Sequence, residues 1–140
     1  MNLGYLAYAV LALVSYTLVA PLTKLATRDL SSDVVALVTN GMLVLAALGV
    51  VLATDRSLTE AVTHPDAKYM LAAGVCLAVG ILAYYRALAL GPVSVVVPVF
   101  GMFLVTSSLV GVAFLGESFT GRKAAGILLA VVAVYLVTVE

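Results

Sequence analysis

The chain has 140 residues, of which 64% are hydrophobic and 10% charged, and seven basic and seven acidic side chains give it a formal net charge of zero. Soluble domains carry a smaller apolar and a larger charged share, so the composition excludes that class and predicts a membrane protein. The balanced charge offers no basic surface for nucleic acid.

Five uncharged apolar runs follow one another along the chain. A helix of about 20 such residues spans the roughly 30 Å hydrocarbon core. The pattern predicts an all-α, multi-pass membrane protein with a single five-helix domain over 1–140. The first run has neither preceding basic residues nor a small-residue cleavage pattern, so we expect a retained helix rather than a signal peptide. The expected helices cover approximately 3–27, 33–54, 67–90, 92–116 and 120–139.

Residue types that begin and end helices set these limits. The segment 31–33, Ser-Ser-Asp, can cap the second helix. Charges of both signs and a His-Pro pair predict an aqueous loop over 55–68, with a short surface helix around 58–62. The Gly-Pro pair at 91–92 marks a turn, and Pro98 is expected to kink the fourth helix.

The basic residues divide almost evenly between the two faces of the membrane. Side A carries the start of the chain and the connections after helices two and four, and side B carries the other connections and the end. Side A has four basic residues, Arg56, Lys68, Arg122 and Lys123, and side B has three, Lys24, Arg28 and Arg86. Orientation normally follows an excess of Lys and Arg on the cytoplasmic side. This split leaves two alternatives open: insertion in both orientations, or one orientation with side A inside.

Polar side chains within the apolar runs are the candidate site, because lipid offers them no hydrogen-bond partner. Asn40, about two turns into the second helix, either lines a cavity or bonds a neighbouring helix. Tyr16 and Tyr84 are cavity candidates, whereas tyrosines near helix ends are typical of the aromatic belt. Arg86 either faces a cavity, where it would attract an anionic substrate, or reaches the headgroups.

The fourth helix and the membrane edges supply the remaining candidates. Ser94 and Pro98 give a polar, kinked segment that either acts as a gate hinge or only shapes packing. Lys24 either extends to the interface or lies at a cavity mouth. Glu117 either orients its loop, pairs with one of the basic residues at 122–123, or acts as a proton-responsive carboxylate.

Reactive side chains are sparse and scattered. The single cysteine, Cys76, lies in the third apolar run, and no pair of His, Asp, Glu or Cys converges at membrane depth. We therefore expect no enzyme, no cofactor and no metal site.

A stretch in the second half of the chain carries a family resemblance. Residues 84–117, YYRALALGPVSVVVPVFGMFLVTSSLVGVAFLGE, resemble the second half of an EamA-type domain of the drug/metabolite transporter superfamily. The specific elements are Tyr85-Arg86-Ala87-Leu88 before Gly91-Pro92, then Pro98, then Gly116-Glu117, and the tail continues the resemblance through Gly121 and Gly126. The first helix fits more loosely, through Tyr16, Pro21 and Lys24.

The resemblance implies an architecture and a function. Chains of that family usually hold ten helices as two inverted repeats of five, so it implies a half-length member that consists of one repeat and works as a homodimer, parallel or antiparallel. It implies a secondary transporter in the cell membrane that moves a small organic metabolite or drug by alternating access. The alternative is a non-transporting assembly partner, or one half of a heteromeric carrier.

Overall fold

The computed structural model describes residues 4–54 and 57–139, and every regular element in these ranges is a helix. The helices are α1 (Gly4–Ala26), α2 (Ser32–Ala53), α3 (Leu58–Thr63), α4 (Ala67–Leu90), α5 (Val93–Gly101), α6 (Phe103–Phe114) and α7 (Gly121–Thr138). Five spans are long and apolar enough to cross a membrane: α1, α2, α4, the pair α5 and α6, and α7. The predicted all-α membrane architecture is confirmed.

Hydroxyl side chains begin three of the helices. The side-chain oxygens of Ser31, Ser57 and Thr120 each accept a hydrogen bond from the backbone N–H three residues further on, at 3.2–3.4 Å. Each bond satisfies a donor that has no partner within its helix. The Ser57 cap starts α3, which is the short surface helix expected in the longest loop.

The described residues up to Leu90 form one compact unit, in which α4 packs against α1, α2 and α3. Its core is small and lies where α2 meets α4. Val35, Ala36 and Tyr85 are buried there, and Ala26, Ile81 and Tyr84 pack partly buried around them. The small side chain of Ala36 allows the two helix backbones to approach closely.

The described residues from Gly91 onward form a second unit, in which α5 packs against α6 and α7. The sequence predicts a kink at Pro98; the structure instead divides the fourth span into two helices, with the break one turn after Pro98, between α5 and α6. Proline has no N–H to give to the carbonyl of Ser94. The N–H of Met102 then bonds the carbonyl of Val99, at 3.2 Å, instead of the carbonyl four residues back.

A left-handed glycine ends α6. Gly116 has a φ of 69°, a conformation that glycine adopts without steric cost. The turn lets two N–H groups, those of Leu115 and Glu117, reach the carbonyl of Gly111 at 3.0 and 3.3 Å. The chain thereby leaves α6 and enters the connection to α7.

Most apolar side chains of the spans face outward. Among the described residues, the buried hydrophobic ones are Ala20, Val35, Ala36, Tyr85 and Leu88. Lipid tails solvate an apolar helix face as well as protein does, so such exposure is compatible with a bilayer. It also leaves wide surfaces for contact with another protein chain.

Candidate functional site

A first cleft, cleft 1, opens between α1, α2 and α4 in the first unit. Its volume is ≈ 430 Å³, within the range of small-molecule sites. The walls are mostly apolar, and the polar lining residues are Tyr16, Thr23, Thr39, Asn40 and Tyr85. Apolar walls with a few polar groups are typical of pockets that hold organic ligands.

A second cleft, cleft 2, lies between α2 and α4 and has a volume of ≈ 460 Å³. Gly74, which has no side chain, belongs to its wall and widens it. Asp33 and Asn40 are its polar lining residues, and Asn40, Leu43 and Ile81 line both clefts. The two clefts are therefore neighbours that share part of their walls.

Asn40 is the ninth of the 22 residues of α2, close to the middle of that span. Its amide nitrogen donates to the carbonyl of Ala36 at 2.8 Å. The described residues provide no donor to its side-chain carbonyl oxygen. Asn40 thus presents an acceptor at membrane depth where both clefts meet, and a ligand with an N–H or O–H group can satisfy it.

A hydroxyl pair joins α2 to α4 at the wall of cleft 1. The hydroxyls of Thr39 and Tyr85 are 2.8 Å apart, and the Thr39 hydroxyl is 2.9 Å from the carbonyl of Val35. A threonine hydroxyl has one proton, which the Val35 carbonyl accepts when Tyr85 is the donor to Thr39. This arrangement satisfies all three groups.

Tyr85, rather than its neighbour Tyr84, lines the cleft. The ring of Tyr84 packs edge-on against that of Tyr85, with 6.3 Å between the ring centroids, and Tyr84 lines neither cleft. Sequence reasoning missed Tyr85 and Thr39. The sequence did contain a signal for both residues as cleft-lining positions. Tyr85 lies on the same face of α4 as Ile81, one helical turn away, and Thr39 is next to Asn40 in α2.

Arg86 forms an ion pair with Asp33. Its Nη2 lies 3.1 Å from Oδ2 and its Nε lies 3.3 Å from Oδ1, so the guanidinium engages both carboxylate oxygens. Both side chains are largely exposed, at 65% and 57%. Asp33 lines cleft 2 and Arg86 does not. The structure thus adds a third alternative for Arg86: a link between α4, one turn before its end, and the first turn of α2.

Lys24 ties α1 to the same end of α4. Its Nζ donates to the carbonyl of Ala89 at 3.1 Å, in the last turn of α4, where carbonyls lack intrahelical partners. Lys24 and Arg86 thereby hold α1, α2 and α4 together at their side B ends.

The other candidate residues belong to the second unit. Ser94 lies in the first turn of α5, and Pro98 lies four residues after it. The carboxylate of Glu117 lies 3.5 Å from Nζ of Lys123, one of the two basic partners that the sequence offered. That carboxylate also covers Gly111, where an added Cβ would meet it at 3.1–3.3 Å.

The parts of the chain that the structure describes hold no group of three or more His, Cys, Asp or Glu side chains able to bind a metal ion.

Comparison with known proteins identifies the family. A sequence profile of the EamA-like transporter family matches residues 3–139. The chain belongs to the EamA-like transporter family. No curated protein and no solved structure is significantly similar to it. Membership together with five candidate spans makes it a multi-pass integral membrane protein of a family of transporters rather than of enzymes.

Proposed function

We propose that the chain is a secondary transporter of the cell membrane that moves a small organic metabolite or drug by alternating access. The observation that carries the proposal is Asn40, a polar residue close to mid-span that lines two clefts of ligand size. A polar group at this depth is costly unless it faces a partner or a cavity. Membership of a transporter family supports the same function.

The solute binds in the first unit against the polar residues of the clefts. Tyr16 and Asn40 contact it directly, and Tyr85 does so beside its bond to Thr39. Tyr84 acts through its packing on Tyr85, and Arg86 through its pair with Asp33. Within the second unit, the helix break after Pro98 serves as a hinge, and Ser94 lies in the helix that the hinge moves.

The working assembly is a homodimer of two inverted copies. Five spans place the two ends of the chain on opposite faces of the membrane. The near-even distribution of basic residues between these faces allows both orientations. Two such copies form a ten-helix pair with a two-fold axis in the membrane plane, the counterpart of the inverted repeats that put binding sites near the midplane of single-chain transporters. The exposed apolar faces of the spans supply the contact surface.

The test is uptake by proteoliposomes that contain the full chain, measured over a broad panel of organic solutes against empty vesicles. We expect Asn40→Leu to lower the initial uptake rate by about tenfold, because it removes a half-buried hydrogen-bonding group from the solute site. Thr17→Val is the matched control, since Thr17 bonds the carbonyl of Leu13 in its own helix and lines neither cleft.

No uptake of any solute by a verified intact dimer would reject the proposal. Uptake that appears only after a different five-helix chain is added would instead establish a heteromeric carrier.

A further inference from the structure

The charge that reaches the two clefts is negative. Cleft 1 is lined by uncharged side chains, and Asp33 is the one charged residue among the described residues that line cleft 2. The guanidinium of Arg86 contacts the Asp33 carboxylate without itself lining the cleft. A molecule in cleft 2 therefore meets the carboxylate and not the guanidinium.

The second polar group of cleft 2 is also an acceptor. Asn40 follows Asp33 by seven residues, which places both on one face of α2 with a rise of about 10 Å between them. The amide nitrogen of Asn40 is engaged by the Ala36 carbonyl, so its oxygen is the group available to a ligand. Apolar residues such as Leu37, Leu77 and Leu82 form the remaining wall.

We propose that cleft 2 binds an organic cation, a primary amine on an apolar body, whose ammonium group takes the place of Arg86 at Asp33. This inference rests on the proposed transport function and assigns its substrate class. The ammonium donates to the carboxylate and the apolar body lies along the leucine wall, and in a substrate that carries a second donor at its far end that donor reaches Asn40. One cation replaces another, so the net charge of the site does not change.

Displacing Arg86 is inexpensive because of where the ion pair lies. Exposed ion pairs contribute little to stability, so displacing Arg86 from Asp33 costs little. The long side chain of Arg86 then reaches the headgroup region, which lies close to the last turn of α4. Ligand binding thereby releases the link between α2 and α4, which couples occupancy to separation of the two helices.

The test compares three ligands that share one apolar body: phenylbutylamine, phenylbutanol and phenylbutyrate. Binding is measured by isothermal titration calorimetry on the full chain in lipid nanodiscs, with empty nanodiscs as the blank. We expect the amine to bind about tenfold more tightly than the alcohol, because its hydrogen bond to Asp33 is charge-assisted. Asp33→Asn removes that preference, while Asp29→Asn, a nearby exposed carboxylate that lines neither cleft, keeps it.

Arg86→Gln supplies the discriminating result. The substitution removes the competing cation, so we expect the amine to bind the variant more tightly than the wild-type chain. If the ion pair only stabilised the fold of the cleft, the variant would bind the amine more weakly than the wild-type chain. Circular dichroism and gel filtration verify the fold of each variant. Tightest binding of phenylbutyrate, with loss on Arg86→Gln, would overturn the inference in favour of an anionic substrate, and equal binding or no binding of the three would also overturn it.

The two proposals fail separately. Uptake of neutral or anionic solutes by a chain that does not bind the amine removes the substrate class and leaves transport intact. Amine binding without uptake of any solute removes transport and leaves the binding site.

Discussion

The hydroxyls of Tyr85 and Thr39, 2.8 Å apart, cross from α4 to α2 beside a cleft. Tyr85→Phe deletes the donor, and we expect the free energy of unfolding to fall by about 0.6 kcal/mol, the average found for hydrogen bonds between membrane helices. Unfolding in mixed micelles by sodium dodecyl sulfate measures the change. Tyr8→Phe is the control, because Tyr8 is 76% exposed.

Thr39→Val combined with Tyr85→Phe isolates the pair itself. If the two hydroxyls interact, the double variant loses less stability than the two single losses added together. Additive losses, or a loss in Tyr85→Phe no larger than in Tyr8→Phe, would show that the bond contributes nothing.

Residue positions could be predicted from the sequence better than residue partners. Asn40 was visible because an amide within an apolar run needs a partner. Whether Tyr84 or Tyr85 faces the cleft depends on the rotation of α4 about its axis, and a helix that is apolar all round gives little sign of that rotation. Asp33 and Arg86 are 53 residues apart, so their pairing follows from helix packing, whereas Glu117 and Lys123 are only six residues apart across one loop.

At the scale of elements, the break between α5 and α6 is the most distinctive feature of the fourth span. Pro98→Ala restores an N–H for the Ser94 carbonyl, and we expect a continuous helix in place of two. Backbone amides around Met102 should then exchange about tenfold more slowly, because local opening becomes more costly. Hydrogen exchange with mass spectrometry measures this.

Pro21→Ala is the matched control for that experiment, because α1 continues unbroken through Pro21. If the break serves as a hinge, Pro98→Ala also lowers the uptake rate and Pro21→Ala does not. Unchanged exchange around Met102 would place the cause of the break elsewhere than at the proline.

Gly116 ends α6 in a conformation that side chains oppose. Gly116→Ala places a Cβ at a φ of 69°, and we expect a loss of about 1 kcal/mol in the free energy of unfolding. Gly121→Ala is the control, since an added Cβ there meets nothing within 4 Å and its φ is not positive. Equal effects of the two substitutions would contradict a conformational origin.

The spans themselves followed from length and composition, which largely determine whether a segment can cross a bilayer. The cap at Ser31 was equally predictable within the segment 31–33, because a hydroxyl bonds an N–H three residues away. The exact position of the break between α5 and α6 could not be predicted from the sequence, because it depends on the hydrogen bond from the Met102 N–H to the Val99 carbonyl.

For the whole molecule, the near-even charge count allows two populations of opposite orientation, and the proposed inverted homodimer requires them. Reporter fusions at both ends should give signal on both sides of the membrane. Leu58→Lys raises the side A count from four to five, and Val139→Lys raises the side B count from three to four. Because Lys near a span favours the cytoplasmic side, the two substitutions should shift the populations in opposite directions.

A single orientation that neither substitution alters would exclude the antiparallel homodimer. It would leave a parallel dimer or a partner chain as the assembly. The near-even count of basic residues on the two sides follows directly from the sequence. Which exposed helix faces contact a second copy does not, because both lipid and protein can cover an apolar helix.

An odd number of spans also affects what would follow from duplication and fusion of the coding sequence of this five-span chain. Because each copy of the chain has five candidate spans, its two ends lie on opposite faces of the membrane. If two copies of the coding sequence were joined end to end, the second copy would enter from that opposite face and be inverted by the connection alone. A short polar linker would suffice, whereas a unit with an even number of spans would need an additional helix to achieve the same inversion.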